Sequence, residues 1–310
     1  MRGAGMALEA PVALFIFRRP EATRRVFDRI RQARPARLLV VADGPSPSRA
    51  GEAELCAQAR AVAGAVDWPC QVERDYSAEN LGCKRRMASG LNWVFSRCEE
   101  AIILEDDCLP DLSFFPYCAE LLSRYRDEPR VMMVSGDNFQ GGARRGDASY
   151  YFSAYHHIWG WASWRRAWQH YDVDMQAWPA ARASGLLHRA LADPVAEAVW
   201  ERDLQRAFEG KVDTWDLQWL FCCWRLGALC PLPNVNLVTN IGAGPGGTHM
   251  GGQGEAFEVP AGAMPFPLRH PQAMAADRQA DWRTFHEVFF HTTARIRWAI
   301  RLKRLLGLAI

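Results

Sequence analysis

A chain of 310 residues, 49% of them hydrophobic, has enough apolar material for one large domain or two small ones. A formal charge of +2 leaves no global electrostatic footprint for nucleic acid, and lysine occurs only at Lys84, Lys211 and Lys303. The nine cysteines include no C-x-x-C pair and no zinc-like spacing. They read as reduced thiols in a cytosolic protein, buried as small hydrophobes.

Residues 1–10 are too short and mixed for a secretion signal and read as an N-terminal extension. From Pro11 onward the chain alternates short apolar runs with amphipathic stretches, the pattern of βα units around a parallel sheet. Residues 12–17 predict a buried strand and 21–34 a helix. After Pro35, residues 37–42 predict a strand that stops at Asp43-Gly44-Pro45. The alanine-rich stretch 52–66 predicts a helix, 70–75 a weaker strand, and 83–96 a helix with Leu91, Val94 and Phe95 on its apolar face. Residues 101–104 form a short all-apolar strand that ends abruptly at Glu105, Asp106 and Asp107. A helix over 112–126 and a buried strand over 131–135 complete a first half, 11–138.

The second half, 139–290, has another character. A turn-rich loop over 141–147 precedes a stretch dense in aromatics: Tyr150, Tyr151, Phe152, Tyr155, Trp159, Trp161, Trp164, Trp168 and Tyr171. Helices are predicted over 194–209 and 215–226, and strands over 228–231 and 235–240. The seven glycines of 242–254 predict a mobile loop. No segment approaches the roughly 20 apolar residues of a membrane span. Residues 291–310 carry Arg295, Arg297, Arg301, Lys303 and Arg304 without an acid, interleaved with Ile296, Trp298, Ile300, Leu302, Leu305, Leu306 and Leu308. That pattern fits an amphipathic helix drawn to anionic lipid, and equally a last helix packed on the core with solvated arginines.

Three consecutive acids after an apolar strand need a reason. At a strand's carboxyl end in an open α/β sheet, side chains face the crevice where ligands bind. Carboxylates gathered there repel unless a cation compensates them. A hard ion such as Mg²⁺ or Mn²⁺ takes oxygen ligands and keeps positions open for phosphate oxygens. The bland alternative is a solvated turn ahead of the next helix, with Asp111 as its cap.

Ile102-Ile103-Leu104-Glu105-Asp106-Asp107, followed by Pro110 and Phe114-Phe115, resembles the acidic-triplet form of the DxD motif in GT-A glycosyltransferases. The nearest types are the N-acetylglucosaminyltransferase I type and bacterial family-2-like sugar transferases of surface polysaccharides. Val131-Met132-Met133-Val134-Ser135-Gly136 is similar to the strand after the DxD helix, and Asp43-Gly44 and Asn80-Leu81-Gly82 fall in matching order. The resemblance covers roughly residues 11–250.

It implies a GT-A, Rossmann-like, mostly parallel sheet flanked by helices in a single compact domain. The first half would bind the nucleotide-sugar and the second the acceptor. The implied activity is metal-dependent, inverting transfer of a hexosyl or N-acetylhexosaminyl group from a UDP-sugar to a glycan or lipid-linked acceptor. Asp107 would ligate Mn²⁺ or Mg²⁺, and Glu105 and Asp106 would reach ribose or donor-sugar hydroxyls. Asp43 would hydrogen-bond uracil, with Arg18 or Arg19 beside the nucleotide. Both readings have plain rivals, a turn for Asp43-Gly44 and surface charge for the arginines. His249, after the glycine-rich stretch, would contact the metal or the diphosphate.

Inverting transfer needs a general base for the acceptor hydroxyl. Trp215-Asp216-Leu217-Gln218-Trp219 offers a carboxylate flanked by aromatics, so Asp216 is the candidate base and Asp213 the runner-up. The rival reading makes Asp213 a helix N-cap with Asp216 in the first turn. Trp159, Gly160 and Trp161 suggest a sugar platform, whereas Trp161, Trp164 and Trp168 also fit one helix face. His156-His157 is discounted as a metal pair because neighbours on a strand face opposite ways.

Two other functions compete. A nucleotidyltransferase would need a glycine-rich phosphate loop where this chain has Phe17-Arg18-Arg19-Pro20. A catalytically silent carbohydrate-binding protein would keep the tryptophans with the acids as relics. The expected location is the cytoplasm, on the inner face of the cytoplasmic membrane if the basic tail binds lipid.

Overall fold

The computed structural model describes residues 8–242 and 259–290, together with the single residues 298, 302 and 305. β1 (Val12–Ile16) is a continuous apolar run with all five side chains buried, as expected of a strand covered on both faces. α1 (Pro20–Ala33) starts on Pro20, whose missing N–H has no partner to lose there, and stops at Arg34 in the left-handed region. β2 (Arg37–Ala42), α2 (Glu52–Gly64), β3 (Gln71–Tyr76), α3 (Gly82–Arg97) and β4 (Glu100–Glu105) continue the alternation. β5 (Cys108–Pro110), α4 (Phe114–Arg124) and β6 (Met133–Ser135) come next. The second half contributes β7 (Tyr150–Ser153), β8 (Trp161–Trp164), α5 (Arg165–Trp168), α6 (Trp178–Ala183), α7 (Leu186–Leu191) and α8 (Pro194–Phe208). It ends with α9 (Asp216–Arg225), β9 (Cys230–Pro233), β10 (Val238–Asn240) and α10 (Arg278–Arg283), which runs into a π-helical turn, Thr284–Phe289.

The six-stranded sheet has the order β3-β2-β1-β4-β8-β6. β1 pairs in parallel with β2 and β4, and β2 with β3. β8 runs antiparallel between β4 and β6. The chain leaves β1 toward β2 and β3, then returns to β4 on the other side of β1. That reversal opens a crevice outside the carboxyl ends of β1 and β4, the usual ligand position in such sheets. The fold is therefore a mixed α/β, mostly parallel, Rossmann-like sheet flanked by helices in one domain. Because β8 comes from the second half, the two halves share one sheet.

Alternate residues of the strands feed two cores. Val12, Leu14 and Ile16 pack on one face with Phe27, Leu38 and Phe114, while Ala13 and Phe15 pack on the other with Leu91, Trp161 and Trp219. A third cluster gathers Trp178, Trp200, Phe221, Trp224 and Phe285 around α6 to α9.

Some expectations change. Residues 8 and 10 are no loose extension: Leu8 bridges Pro35, and Ala10 is buried. Trp161 and Trp164 share no helix face, since both lie on β8. Three residues apart on a strand, they point to opposite faces, Trp164 into the first core and Trp161 into the second. All nine cysteines are free, and only Cys70 and Cys83 are not buried. No helix among the described residues is long and apolar enough to cross a membrane.

Candidate active site

Phe17, Arg18 and Arg19 leave the carboxyl end of β1 beside the point where β4 delivers Glu105, Asp106 and Asp107. Strand register brings Phe15 opposite Glu105. The Phe17 N–H donates to Asp106 Oδ2 at 3.1 Å, and Arg19 Nη2 donates to Asp106 Oδ1. Arg19 Nη1 donates to Asp107 Oδ2 at 2.8 Å. Asp106 is only 2% exposed, so it latches the ends of β1 and β4 together instead of facing a sugar. Burial pushes its carboxyl up to about 6, against the pull of Arg19. For Arg19 itself, burial favours the neutral form, but Asp106 and Asp107 outweigh that and raise its pKa.

The two arginines take different partners. Arg18 pairs with the buried Glu52, which also accepts the Ser46 N–H at 2.6 Å and so fixes the start of α2. Arg19 alone faces the acids.

Asp107 is more open than Asp106. The Ile241 N–H donates to its main-chain oxygen at 2.8 Å, and the chain leaving β10 then passes directly over its side chain. A Cβ on Gly242 would lie 2.3 Å from Asp107 Oδ2 and 3.0 Å from Arg19 Nη1, so any larger residue there would have to displace that pair. His249 lies outside the described residues.

Glu105, half-buried, is pushed up to about 8, first by burial and then by Asp107, Asp106 and Asp216, against the pull of Arg19. Asp216 is the first residue of α9 and accepts a hydrogen bond from the Thr214 hydroxyl. Cys83, near the start of α3, sits among the acids: burial, Glu105, Asp216, Asp213 and Asp43 all disfavour its thiolate. The structure thus brings Glu105, Asp107, Asp216 and Arg19 to one crevice.

Asp213 has a different task from the one expected. Its Oδ1 accepts the Lys84 N–H at 3.1 Å, capping α3 from a distant part of the chain. The helix that follows it in the chain, α9, has Trp215 at its N-cap position and no side-chain cap. Asp43 is likewise engaged. Its Oδ1 accepts the Gly44 and Leu81 N–H groups at 2.9 Å each, and its Oδ2 accepts Asn80 Nδ2 at 3.2 Å. Burial raises its pKa while those main-chain bonds lower it. Asp43-Gly44 and Asn80-Leu81-Gly82 are therefore one structural unit, and Asp43 does not stand open to a base.

The expected aromatic platform divides. Trp161 is fully buried and stacks on Trp215 at 5.7 Å, with Trp219 at 6.1 Å, so it supports α9 from behind. Gly160 has φ +71°, and a Cβ there would lie 2.6 Å from Val238. Its role is the turn into β8, not room for a ring. Trp159 is the only partly exposed member, edge-on to Phe139 at 5.6 Å. His156 and His157 are buried, and burial pushes both down to about 3, so they are neutral core rings.

Sequence reasoning missed Asp137, which is 1% exposed, accepts the Trp159 N–H at 3.0 Å and leaves Oδ1 without a partner among the described residues. Burial raises its pKa far above the carboxylate range. A signal existed: β6 runs parallel to β4, so Ser135-Gly136-Asp137 leaves the same edge of the sheet as the acidic triplet.

Among the described residues, no group of three or more His, Cys, Asp or Glu side chains is arranged to hold a metal. Asp106 is turned to Phe17 and Arg19, so the triplet does not converge on one point. Asp107 with Glu105 supplies one or two carboxylates, which fits the way Mg²⁺-type ions are held when substrate phosphates and water complete the shell. No protein-family model matches the chain, and no curated protein matches it significantly.

Proposed function

We propose that this protein is a glycosyltransferase moving a hexosyl or N-acetylhexosaminyl group from a nucleotide-sugar, of the UDP-sugar class, to a hydroxyl of a glycan or lipid-linked acceptor. The reading is carried by one observation. Glu105 and Asp107 stand beside Arg19 at the switch point between β1 and β4, and Asp216 lies near enough for its charge to act on Glu105.

In this reading Asp216 accepts the proton of the acceptor hydroxyl as its oxygen attacks the anomeric carbon. The bond from that carbon to the diphosphate breaks on the opposite face, so configuration inverts. The hydrogen bond from Thr214 fixes one oxygen of Asp216 and leaves the other for the proton. Arg19 supplies a cation beside the leaving diphosphate. A Mn²⁺ or Mg²⁺ ion held by Asp107 and Glu105 would supply the remaining charge compensation. Trp159 offers an apolar face to sugar C–H groups.

The test is hydrolysis of a panel of nucleotide-sugars with and without Mn²⁺, using Asp107→Ala as control. Metal-dependent hydrolysis lost in the variant supports the reading. If the wild type neither hydrolyses nor binds any nucleotide-sugar, the reading fails.

A further inference from the structure

Trp298 is 66% exposed and Leu305 83%, whereas no other large apolar side chain among the described residues exceeds 44%. Leu302 is 39% exposed. All three residues are helical, and their steps of four and three residues are the sequence spacing of one helix face. A solvent-facing row of Trp and Leu of this kind calls for an occupant.

Charge selects among occupants. Residues 291–310 hold Arg295, Arg297, Arg301, Lys303 and Arg304 and no acidic residue. A second copy of the chain docked symmetrically on this row would bring two such cationic segments together, at an electrostatic cost. An anionic lipid surface attracts the same charges, at about 1 kcal/mol for each Lys or Arg near it. Trp is also a favoured side chain at the headgroup level. A spanning role is excluded for the segment by its five cations.

We infer that the face carrying Trp298, Leu302 and Leu305 rests on the surface of an anionic lipid bilayer, holding the protein there peripherally. The inference is independent of the proposed transferase activity.

Flotation of the full chain with two kinds of vesicle tests it: phosphatidylcholine alone, and phosphatidylcholine mixed with phosphatidylglycerol. The protein should float with the mixed vesicles, remain behind with the neutral ones, and be released by raised salt. Replacing both Trp298 and Leu305 by Ser should weaken binding at least about tenfold. Arg301→Gln and Arg304→Gln should each weaken it about fivefold. These apolar positions are solvent-facing, so an unchanged unfolding midpoint in the double variant separates lost binding from lost folding. Three results would overturn the inference: no flotation with either vesicle, equal flotation of wild type and double variant, or a dimer in light scattering that the double variant abolishes without any lipid binding.

Discussion

Around the carboxyl end of the sheet, several acidic side chains are held by other polar groups. Asp106 is tied to Phe17 and Arg19, Asp213 to the start of α3, and Asp43 to the loop before it. Behind β8, side chains of equally functional appearance are held by packing alone, as Trp161 is between Trp215 and Trp219. The contrast shows what each residue type contributes. A carboxylate at the crevice is informative only once its partners are known, because a satisfied one is a fastener and a less engaged one is available. A tryptophan is informative only through its exposure. By these standards the available groups are Asp107, Glu105, Asp216 and Trp159.

The comparison breaks most visibly if the available carboxylates prove dispensable. Asp216→Asn should lower sugar transfer by roughly 10²–10⁴-fold with little effect on nucleotide binding; single-turnover transfer and donor titration measure the two. In the aromatic region the largest effect falls on folding. Trp161→Ala should destabilise the protein by about 3–5 kcal/mol in denaturant unfolding, and Trp159→Ala by clearly less. Equal losses would remove the distinction between fully buried and partly exposed rings.

The aromatic half also contains a titrating group of its own. Asp281 is 6% exposed and accepts hydrogen bonds from the Ser153 hydroxyl and, at 3.3 Å, from the Ala154 N–H. Burial raises its carboxyl from 3.8 to about 6, outweighing both bonds. The folded state therefore holds a proton that the unfolded chain releases between those values. Its contribution to stability is full below 3.8 and is lost as pH rises through about 6. The loss is up to about 3 kcal/mol. Urea midpoints across that window should slope for the wild type and slope less in Asp281→Asn. The smallest effect belongs to Asp213→Ala, which should cost about 1 kcal/mol of stability through the lost cap of α3 and spare catalysis relative to Asp216→Asn. A loss of turnover matching that of Asp216→Asn would return Asp213 to the chemistry.

The sheet was legible wherever a strand was a continuous apolar run closed by a polar stop, as at Val12–Ile16, Arg37–Ala42 and Glu100–Glu105. β8 was hidden because tryptophans three residues apart fit a helix face as well as two opposite strand faces. The triplet's position was legible from its strand, but its division of labour was not. Arg19 meets Asp107 across 88 residues of chain, and Asp213 reaches the Lys84 amide across 129. Nothing local at either end of those pairs marks the other. Asp137 was legible in principle, since it comes after a predicted buried strand just as the triplet does, but a single acid carries none of the clustering that marks the triplet.

Gly242 gives this geometry a mechanical side. The hydrogen bond from Ile241 to Asp107 pins the chain so closely that no side chain fits between residue 242 and the Asp107 carboxylate as it stands. A methyl group at this position has nowhere to go except through the Asp107–Arg19 contact, so Gly242→Ala would act as a wedge that drives apart two charges it does not itself carry. The first residue of the glycine-rich stretch thereby serves as a spacer gauge, and the electrostatics of the crevice depend on an atom that must stay absent.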